Sequence, residues 1–172
     1  MSGSAAGRIV VVGAGLAGIR AVQALRSQGF TGLIVVFEAA SELPCDRPPL
    51  SKQILSGEWH ASEAPGLLSP VELEDLDLDL RLGRAVRSVD LEAGMVTDDR
   101  GERTSYDGLL IATGADANVM SVFDRAGTYP IRDLGDSIRL RTALGRASRV
   151  AIVGAGFLAS RSRAPRGTST SR

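Results

Sequence analysis

Three glycines and one glutamate are the residues of this sequence whose types and spacing best fit a chemical task. Gly13, Gly15 and Gly18 have G-x-G-x-x-G spacing, and Glu38 comes 23 residues after Gly15. Glycines at this spacing allow a tight turn, a close approach of the backbone to a pyrophosphate, and packing of a helix against a strand. A carboxylate at the end of the following strand can accept hydrogen bonds from both hydroxyls of an adenosine ribose. The spacing predicts a dinucleotide site that favours an unphosphorylated ribose.

The segments around the glycines have the patterns of the elements that such a site needs. A short β-branched run ends at Val12, which is typical of a strand buried on both faces of a parallel sheet. Apolar residues then recur at helical intervals up to Leu25, and a second apolar run, Leu33–Phe37, ends at Glu38. The start of that helix would present free N–H groups and a positive dipole end to phosphates. This βαβ pattern predicts an α/β, Rossmann-like fold, and a solvated charge at the strand end is the alternative interpretation of Glu38.

The middle of the chain has the pattern of further strands. Residues 78–82 alternate between leucine and charged side chains, which indicates a half-buried strand. Val86 and Val89 fit a strand that turns at Ala93 and Gly94. Together with residues 106–112, these segments predict a small antiparallel insertion before the last parallel strand, and residues 109–112 are expected to form a buried strand.

Composition limits the other classes of function. The 172 residues are 44% hydrophobic, enough for one domain with a core and the edge of a second. Residues 1–160 carry 16 basic and 20 acidic side chains, a balance of −4, so we expect no nucleic-acid partner. Cys45 is the single cysteine, which favours a reducing compartment. We find no basic leader and no apolar run of the roughly 20 residues that a membrane helix needs, so we expect a soluble, cytoplasmic protein without a membrane partner.

Other polar residues are weaker candidates for a site. Arg47 and Lys52, the only lysine of the chain, flank two prolines in "DRPPLSK"; on composition alone they indicate a solvated helix start more often than a ligand site. Cys45 has no second cysteine as a partner, which excludes dithiol relay chemistry within the chain. The acidic residues between 72 and 79 have no spacing that would converge on a metal, and His60 lies in a loop-like stretch. We therefore expect no metal site and assign no catalytic residue.

Five motifs together resemble one family of flavoproteins. "VVGAGLAG", "DRPPLSK", "LLIATGA", "YPIRDLGDS" and "VAIVGAGFLAS" occur in the order and approximate spacing of FAD-dependent ferredoxin reductases. These are the rubredoxin and putidaredoxin reductase-like members of the pyridine nucleotide-disulfide oxidoreductase superfamily, which include reductase components of aromatic dioxygenase and P450 systems. The similarity covers about residues 8–160. Its specific part is "DRPPLSK", because many two-dinucleotide flavoproteins share the glycine motifs.

The resemblance implies an FAD site in the first part of the chain. Glu38 matches the ribose carboxylate, and the backbone of Val86 matches the position that meets adenine. Arg47 and Lys52 match basic residues on the flavin side, where a positive charge would stabilise an anionic reduced isoalloxazine. The family's pyrophosphate loop corresponds to Gly13, Ala14, Gly15, Leu16, Ala17 and Gly18.

Two later segments extend the implied site. Ala112, Thr113 and Gly114 match a turn beside the cofactor. Arg132 matches an FAD contact, with a surface ion pair to Asp133 or Asp136 as the alternative.

A second glycine motif, with Gly154 and Gly156, lies 141 residues beyond the first and implies the start of an NAD(P)-binding domain. We expect residues 1–117 to be the N-terminal part of an FAD-binding domain, 118–148 a connection, and 149–160 the start of the second domain as a buried strand, a turn and a helix. Residues 161–172 carry four arginines and no acid, and Ala164 is their only apolar candidate for a helix face. We therefore hypothesise a reading-frame shift near Ser160, leaving an aberrant, disordered tail and a fold that is incomplete at the C-terminus.

The resemblance implies an enzyme that passes electrons from NAD(P)H through FAD to a ferredoxin-type acceptor. Because the second motif is not followed by a helical pattern, we expect this chain itself to be an inactive, truncated form. The alternative is a non-catalytic Rossmann remnant that binds adenine nucleotides.

Overall fold

The structure is a computed structural model that describes residues 7–117, 121, 127–154, 156 and 159. Contacts between Cα atoms group them into two units. The first unit takes the described residues up to Cys45 together with Gly66–Ala115. The second unit takes Asp46–Pro65 and the described residues from Asp116 onward.

The first unit holds seven strands and two helices. They are β1 (Arg8–Val12), α1 (Leu16–Ser27), β2 (Leu33–Glu38), α3 (Pro70–Asp75), β3 (Leu78–Leu82), β4 (Val86–Asp90), β5 (Met95–Asp98), β6 (Arg103–Ser105) and β7 (Gly108–Ile111). Four strands form a parallel sheet in the order β3-β2-β1-β7, and three form an antiparallel sheet in the order β4-β5-β6. This arrangement confirms the α/β fold class with a small antiparallel insertion.

The core of the first unit lies on both faces of β1 and β2. On one face, Val11 of β1 packs with Ile19 and Val22 of α1. On the other face, Val10 and its neighbours pack against Val96 of the antiparallel sheet. All five side chains are at most 1% exposed, which explains why the central strands are apolar runs without alternation.

Two strand predictions were wrong in their partners. Residues 78–82 form β3, which pairs parallel with β2, and the third antiparallel strand is β6. The leucine alternation of residues 78–82 identifies a half-buried strand, but it carries no information about the neighbour of that strand. Residues 106–112 were assigned to the same antiparallel insertion, yet β7 pairs parallel with β1. The expected burial of residues 109–112 was also wrong, because none of them is fully buried and Ile111 is 64% exposed. In the described part of the chain, β7 is an edge strand.

The second unit packs the proline segment against a helix. Pro48–Ser51 form a 3₁₀ helix, Gln53–Ser56 form α2, and Leu134–Leu144 form α4. The hydroxyl of Ser137, which is fully buried, donates to the Leu50 carbonyl oxygen at 2.6 Å. Asp133 caps α4 by accepting from the Asp136 N–H at 2.7 Å.

The second glycine motif does not form the buried strand that its sequence predicts. Val150, Ile152 and Val153 are 49–62% exposed, and no described strand pairs with them. An apolar run becomes a buried strand only where neighbours satisfy its backbone and cover its side chains. The expected tail, residues 161–172, lies outside the described residues.

No helix in the ranges that the structure describes is both long enough and apolar enough to cross a membrane. The expected cytoplasmic location stays a prediction.

Candidate dinucleotide-binding site

The glycine turn begins where β1 ends, and its shape depends on Gly13. Gly13 has φ +102°, and its N–H donates to the Phe37 carbonyl oxygen at 2.8 Å. A Cβ atom built on Gly13 would lie 2.4 Å from the carbonyl oxygen of Ala112. A side chain is therefore disfavoured here both by the backbone conformation and by the neighbouring strand.

The start of α1 is open to an anion. Gly15 is the N-cap and offers no side-chain cap, and the first turn contains no acidic residue. Leu16 is 57% exposed, and Ala17 is exposed beside it. The first N–H groups of a helix have no intrahelical acceptor and carry the positive end of its dipole. This helix start can bind a phosphate through its backbone.

Gly18 lets α1 approach the turn closely. A Cβ atom on Gly18 would lie 2.0 Å from the carbonyl oxygen of Gly13 and 3.4 Å from a methyl group of Val11. The helix thus packs directly on the end of β1, as the G-x-G-x-x-G spacing predicts.

Glu38 is bound to the glycine turn. One carboxylate oxygen accepts from the Ala14 N–H at 2.8 Å, and the other accepts from the Ala40 N–H at 3.0 Å. The Glu38 carbonyl oxygen accepts from the Arg84 N–H at 2.9 Å. An ionised carboxylate has about four lone-pair sites, so two remain for other donors such as sugar hydroxyls.

The remaining predicted residues of the first unit have different surroundings. The Ala112 N–H donates to the Val12 carbonyl oxygen at 2.8 Å and continues the β1–β7 ladder beside Gly13. Thr113 and Gly114 follow it and are exposed. Val86 begins β4, pairs with Asp98 and packs on the core. The structure thus brings Gly13, Ala14, Glu38 and Ala112 together.

The predicted residues of the second unit are described by their local contacts. The carbonyl oxygens of Arg47 and Lys52 accept helical N–H groups, from Leu50 at 3.0 Å and from Ser56 at 2.8 Å. Arg47 is exposed and Lys52 is half-buried. Their role toward a flavin stays a prediction.

Arg132 makes a different contact from the surface ion pair that we considered as an alternative. Its backbone N–H donates to the Asp136 carboxylate at 2.8 Å, and that carboxylate pairs with the Arg139 guanidinium at 2.6 Å. Among the ion pairs of the described residues, none includes the Arg132 side chain. The role of Arg132 toward a cofactor stays a prediction.

The two glycine motifs share a backbone turn but differ in their surroundings. Gly154 has φ +109°, close to the value at Gly13. Nothing described lies within 4 Å of a Cβ atom built on Gly154 or on Gly156. A role for these two glycines in binding NAD(P) stays a prediction.

A buried ion pair behind Glu38 was not foreseen. The Arg84 guanidinium donates to both Asp98 and Glu102, and the Asp98 carboxylate also accepts the N–H groups of Arg100 and Glu102. Burial acts to raise the pKa of Asp98, but these hydrogen bonds prevail and hold the pKa below its ordinary value. Arg84 and Asp98 lie 14 residues apart, so no short motif could indicate the pair.

Comparison with known proteins identifies the relatives of this chain. The family model of the pyridine nucleotide-disulphide oxidoreductases matches residues 7–161. The ferredoxin–NAD(+) reductase component of the biphenyl dioxygenase system of Paraburkholderia xenovorans is 40% identical over 87% of this chain. That alignment covers 37% of the relative, so the chain spans little more than a third of its length.

Solved structures give the same assignment. The ferredoxin reductase for the CYP199A2 system from Rhodopseudomonas palustris superposes with a TM-score of 0.82 at 25% identity, covering 90% of this chain and 38% of that one. A covalent putidaredoxin reductase–putidaredoxin complex superposes with a TM-score of 0.74 at 29% identity, covering 82% of this chain and 35% of that one. The resemblance drawn from the five motifs is confirmed.

Proposed function

The chain belongs to the pyridine nucleotide-disulphide oxidoreductase family, and from this premise we propose that it supplies the FAD-binding part of an NAD(P)H:ferredoxin reductase. Such an enzyme passes electrons from NAD(P)H through FAD to a ferredoxin-type acceptor. The names of the relatives support this proposal, because they include a ferredoxin–NAD(+) reductase component and a putidaredoxin reductase in complex with putidaredoxin.

The observation that carries the proposal is the cradle around the glycine turn. No Cβ atom fits at Gly13 or Gly18, because it would lie 2.4 Å or less from a backbone carbonyl oxygen, and the start of α1 has neither an acidic residue nor a side-chain cap. An anionic diphosphate fits such a cradle because backbone N–H groups can approach it without a side chain in between. The Glu38 carboxylate beside the turn retains lone pairs for ribose hydroxyls.

The cofactor-binding residues have separate tasks in this proposal. The turn from Gly13 to Gly18 would hold the pyrophosphate, Glu38 the ribose, and the Val86 backbone the adenine. Residues Ala112–Gly114 and Arg132 would lie along the cofactor, and Arg47 and Lys52 would supply positive charge near the flavin. FAD, when bound, would supply the redox chemistry, and the protein groups would bind and orient it. We assign no catalytic side chain.

A second candidate is a non-catalytic adenine-nucleotide binder. The residues proposed for adenine, ribose and pyrophosphate all belong to the first unit, whereas Arg47, Lys52 and Arg132 belong to the second. Binding of the ADP half of the cofactor therefore requires the first unit alone. We also propose that the chain by itself has no reductase turnover, because nothing described lies within 4 Å of a Cβ atom built on Gly154 or Gly156, so these glycines lack the close backbone neighbour that Gly13 has.

Titration calorimetry with ADP and with FAD tests the proposal on the full chain. The informative variant is Leu16→Glu, which places a negative charge in the exposed first turn of α1. An acid there is favourable for the helix but repels a diphosphate, so we expect an intact fold and binding weakened by about tenfold or more. Ala24→Glu adds the same charge to an exposed position in the last part of α1 and serves as the matched control.

The outcomes separate the candidates. Binding of both ligands, weakened by Leu16→Glu and not by Ala24→Glu, supports the FAD-binding function. Binding of ADP without FAD favours the second candidate. Binding of neither ligand overturns both. NADH-driven dye reduction by the chain itself would contradict the proposed lack of turnover.

A further inference from the structure

The Glu38 carboxylate contacts the glycine turn itself, and this contact points to a task besides sugar recognition. We infer that Glu38 is a positioning residue: by accepting the Ala14 N–H, it fixes the turn in the conformation that binds phosphate, whether or not the ligand has sugar hydroxyls. The inference rests on the proposed dinucleotide-binding function and adds a second role to the same residue.

The Glu38 contact directly follows the last backbone bond between β1 and β2. β1 and β2 pair in parallel with Val12 opposite Phe37, and the Gly13 N–H donates to the Phe37 carbonyl oxygen at 2.8 Å. The next donor along the chain is the Ala14 N–H, which lies beyond the end of the strand. The Glu38 side chain accepts this N–H at 2.8 Å.

The Ala14 N–H is shielded from water while Glu38 is in place. Ala14 is 0% exposed and belongs to the core cluster on the α1 face of the sheet. A buried N–H group that loses its acceptor retains the full cost of its desolvation. Truncation of Glu38 therefore removes the protein acceptor of this N–H, and the turn must keep an unsatisfied donor, open the donor to water or move.

The carboxylate is fixed from the other side as well. Its second oxygen accepts from the Ala40 N–H at 3.0 Å, and the Glu38 carbonyl oxygen accepts from the Arg84 N–H at 2.9 Å. The Gly83 N–H donates to the Ala40 carbonyl oxygen at 2.8 Å. Glu38 thus links the glycine turn to the loop between β3 and β4. A glutamine at this position could accept one of the two N–H groups but would turn its NH₂ group toward the other.

The two roles predict opposite results with a ligand that lacks sugar hydroxyls. For 2′,3′-dideoxy-ADP, a residue that contacts only hydroxyls contributes nothing, and removing its negative charge beside a diphosphate would leave binding equal or tighter. A residue that holds the turn is needed for this ligand as much as for ADP. We expect Glu38→Ala to weaken the binding of dideoxy-ADP by about three- to tenfold.

The experiment measures calorimetric affinities of ADP and dideoxy-ADP for the full chain and for the variants Glu38→Ala and Glu38→Gln. Glu92→Gln, which removes the same charge from the exposed turn after β4, is the control and should leave both affinities unchanged. Far-UV circular dichroism establishes that each variant is folded. Weaker binding of both ligands to the Glu38 variants supports the inference. Unchanged or tighter binding of dideoxy-ADP, with ADP weakened, overturns it and leaves sugar contact as the only role.

Amide exchange tests the same inference without a ligand. We expect the Ala14 amide to be protected in the parent chain and in Glu92→Gln, and to exchange at least tenfold faster in Glu38→Ala, which has no side-chain acceptor. If the parent chain binds neither nucleotide, the proposed function fails, while the exchange of Ala14 still decides the role of Glu38. Equal exchange in all variants overturns that role.

Discussion

Replacing Gly13 with alanine would add two energetic costs to the folded state, and a matched control can separate them. One cost is the backbone conformation, since Gly13 has φ +102°. The other is contact, since the new Cβ atom would lie 2.4 Å from the Ala112 carbonyl oxygen. Gly29 is a matched control, because it has φ +85° and no heavy atom within 4 Å of its Cβ position.

The expected magnitudes follow from these two terms. Left-handed backbone costs a non-glycine residue roughly 1–2 kcal/mol, and this term is common to both variants. In Gly13→Ala, β7 must also move away from the turn, which weakens the 2.8 Å hydrogen bond from the Ala112 N–H to the Val12 carbonyl oxygen. Losing a bond of this kind costs about 0.5–1.5 kcal/mol. We expect the free energy of unfolding to fall by about 1.5–3.5 kcal/mol in Gly13→Ala and about 1–2 kcal/mol in Gly29→Ala.

Urea denaturation followed by far-UV circular dichroism measures both values. The slope of the free energy against urea should stay the same in both variants, because the surface exposed on unfolding is unchanged. In thermal unfolding, each 1 kcal/mol corresponds to a lower Tm by roughly 2–4 °C for a chain of this size. Equal destabilisation by the two substitutions would refute the argument, because the contact between Gly13 and β7 would then contribute nothing.

Three further predictions concern stability. The folded state holds the pKa of Asp98 below the ordinary 3.8, so the ionised carboxylate stabilises the fold above that pH, and this contribution is lost as pH falls through the lowered pKa. The urea midpoint of Asp98→Asn should therefore depend less on acidic pH than that of the parent chain. An identical pH dependence would contradict the ion pair with Arg84. Arg26→Lys should lower the free energy of unfolding by about 1–3 kcal/mol, because a lysine ammonium cannot replace the planar Arg26 guanidinium, which donates to four backbone carbonyl oxygens. A urea midpoint equal to that of the parent chain would contradict this prediction. Ser137→Ala should cost about 1–2 kcal/mol by leaving the buried Leu50 carbonyl oxygen without its donor, whereas Ser56→Ala, at an exposed helix end, should change the urea midpoint little.

The elements with a continuous or periodic apolar pattern could be predicted from the sequence. The central apolar positions of β1 and β2 and the Ile19–Val22 stripe of α1 are buried, because burial on two faces or on one helix stripe determines the residue types directly, whereas Leu16 and Leu33 at the element starts are exposed. The G-x-G-x-x-G spacing likewise predicts the close approach at Gly18, since a Cβ atom there would meet the Gly13 carbonyl oxygen.

The partners of the shorter strands and the long-range polar contacts could not be predicted. β3 alternates like an antiparallel strand with one solvated face, yet it pairs parallel with β2. The residue types of Arg84 and Asp98 are those of ordinary surface charges, and only the register of the antiparallel sheet and its loops brings them together. The bond from the Ala14 N–H to Glu38 depends on one side-chain conformation at the end of β2. None of these features leaves a periodic signal along the chain.

The two glycine motifs show which part of a dinucleotide site is local. Gly13 and Gly154 follow similar apolar runs and have φ +102° and +109°, so the short sequence is sufficient for the turn. Gly13 also has Ala112 against its backbone and Glu38 bound to the next N–H, whereas the described surroundings of Gly154 contain neither kind of neighbour. Ala112 and Glu38 come from β-strand ends that lie 74 residues apart and meet only because β2 and β7 both pair with β1. A binding site at such a turn is therefore a property of the assembled sheet, and the motif alone is insufficient for it.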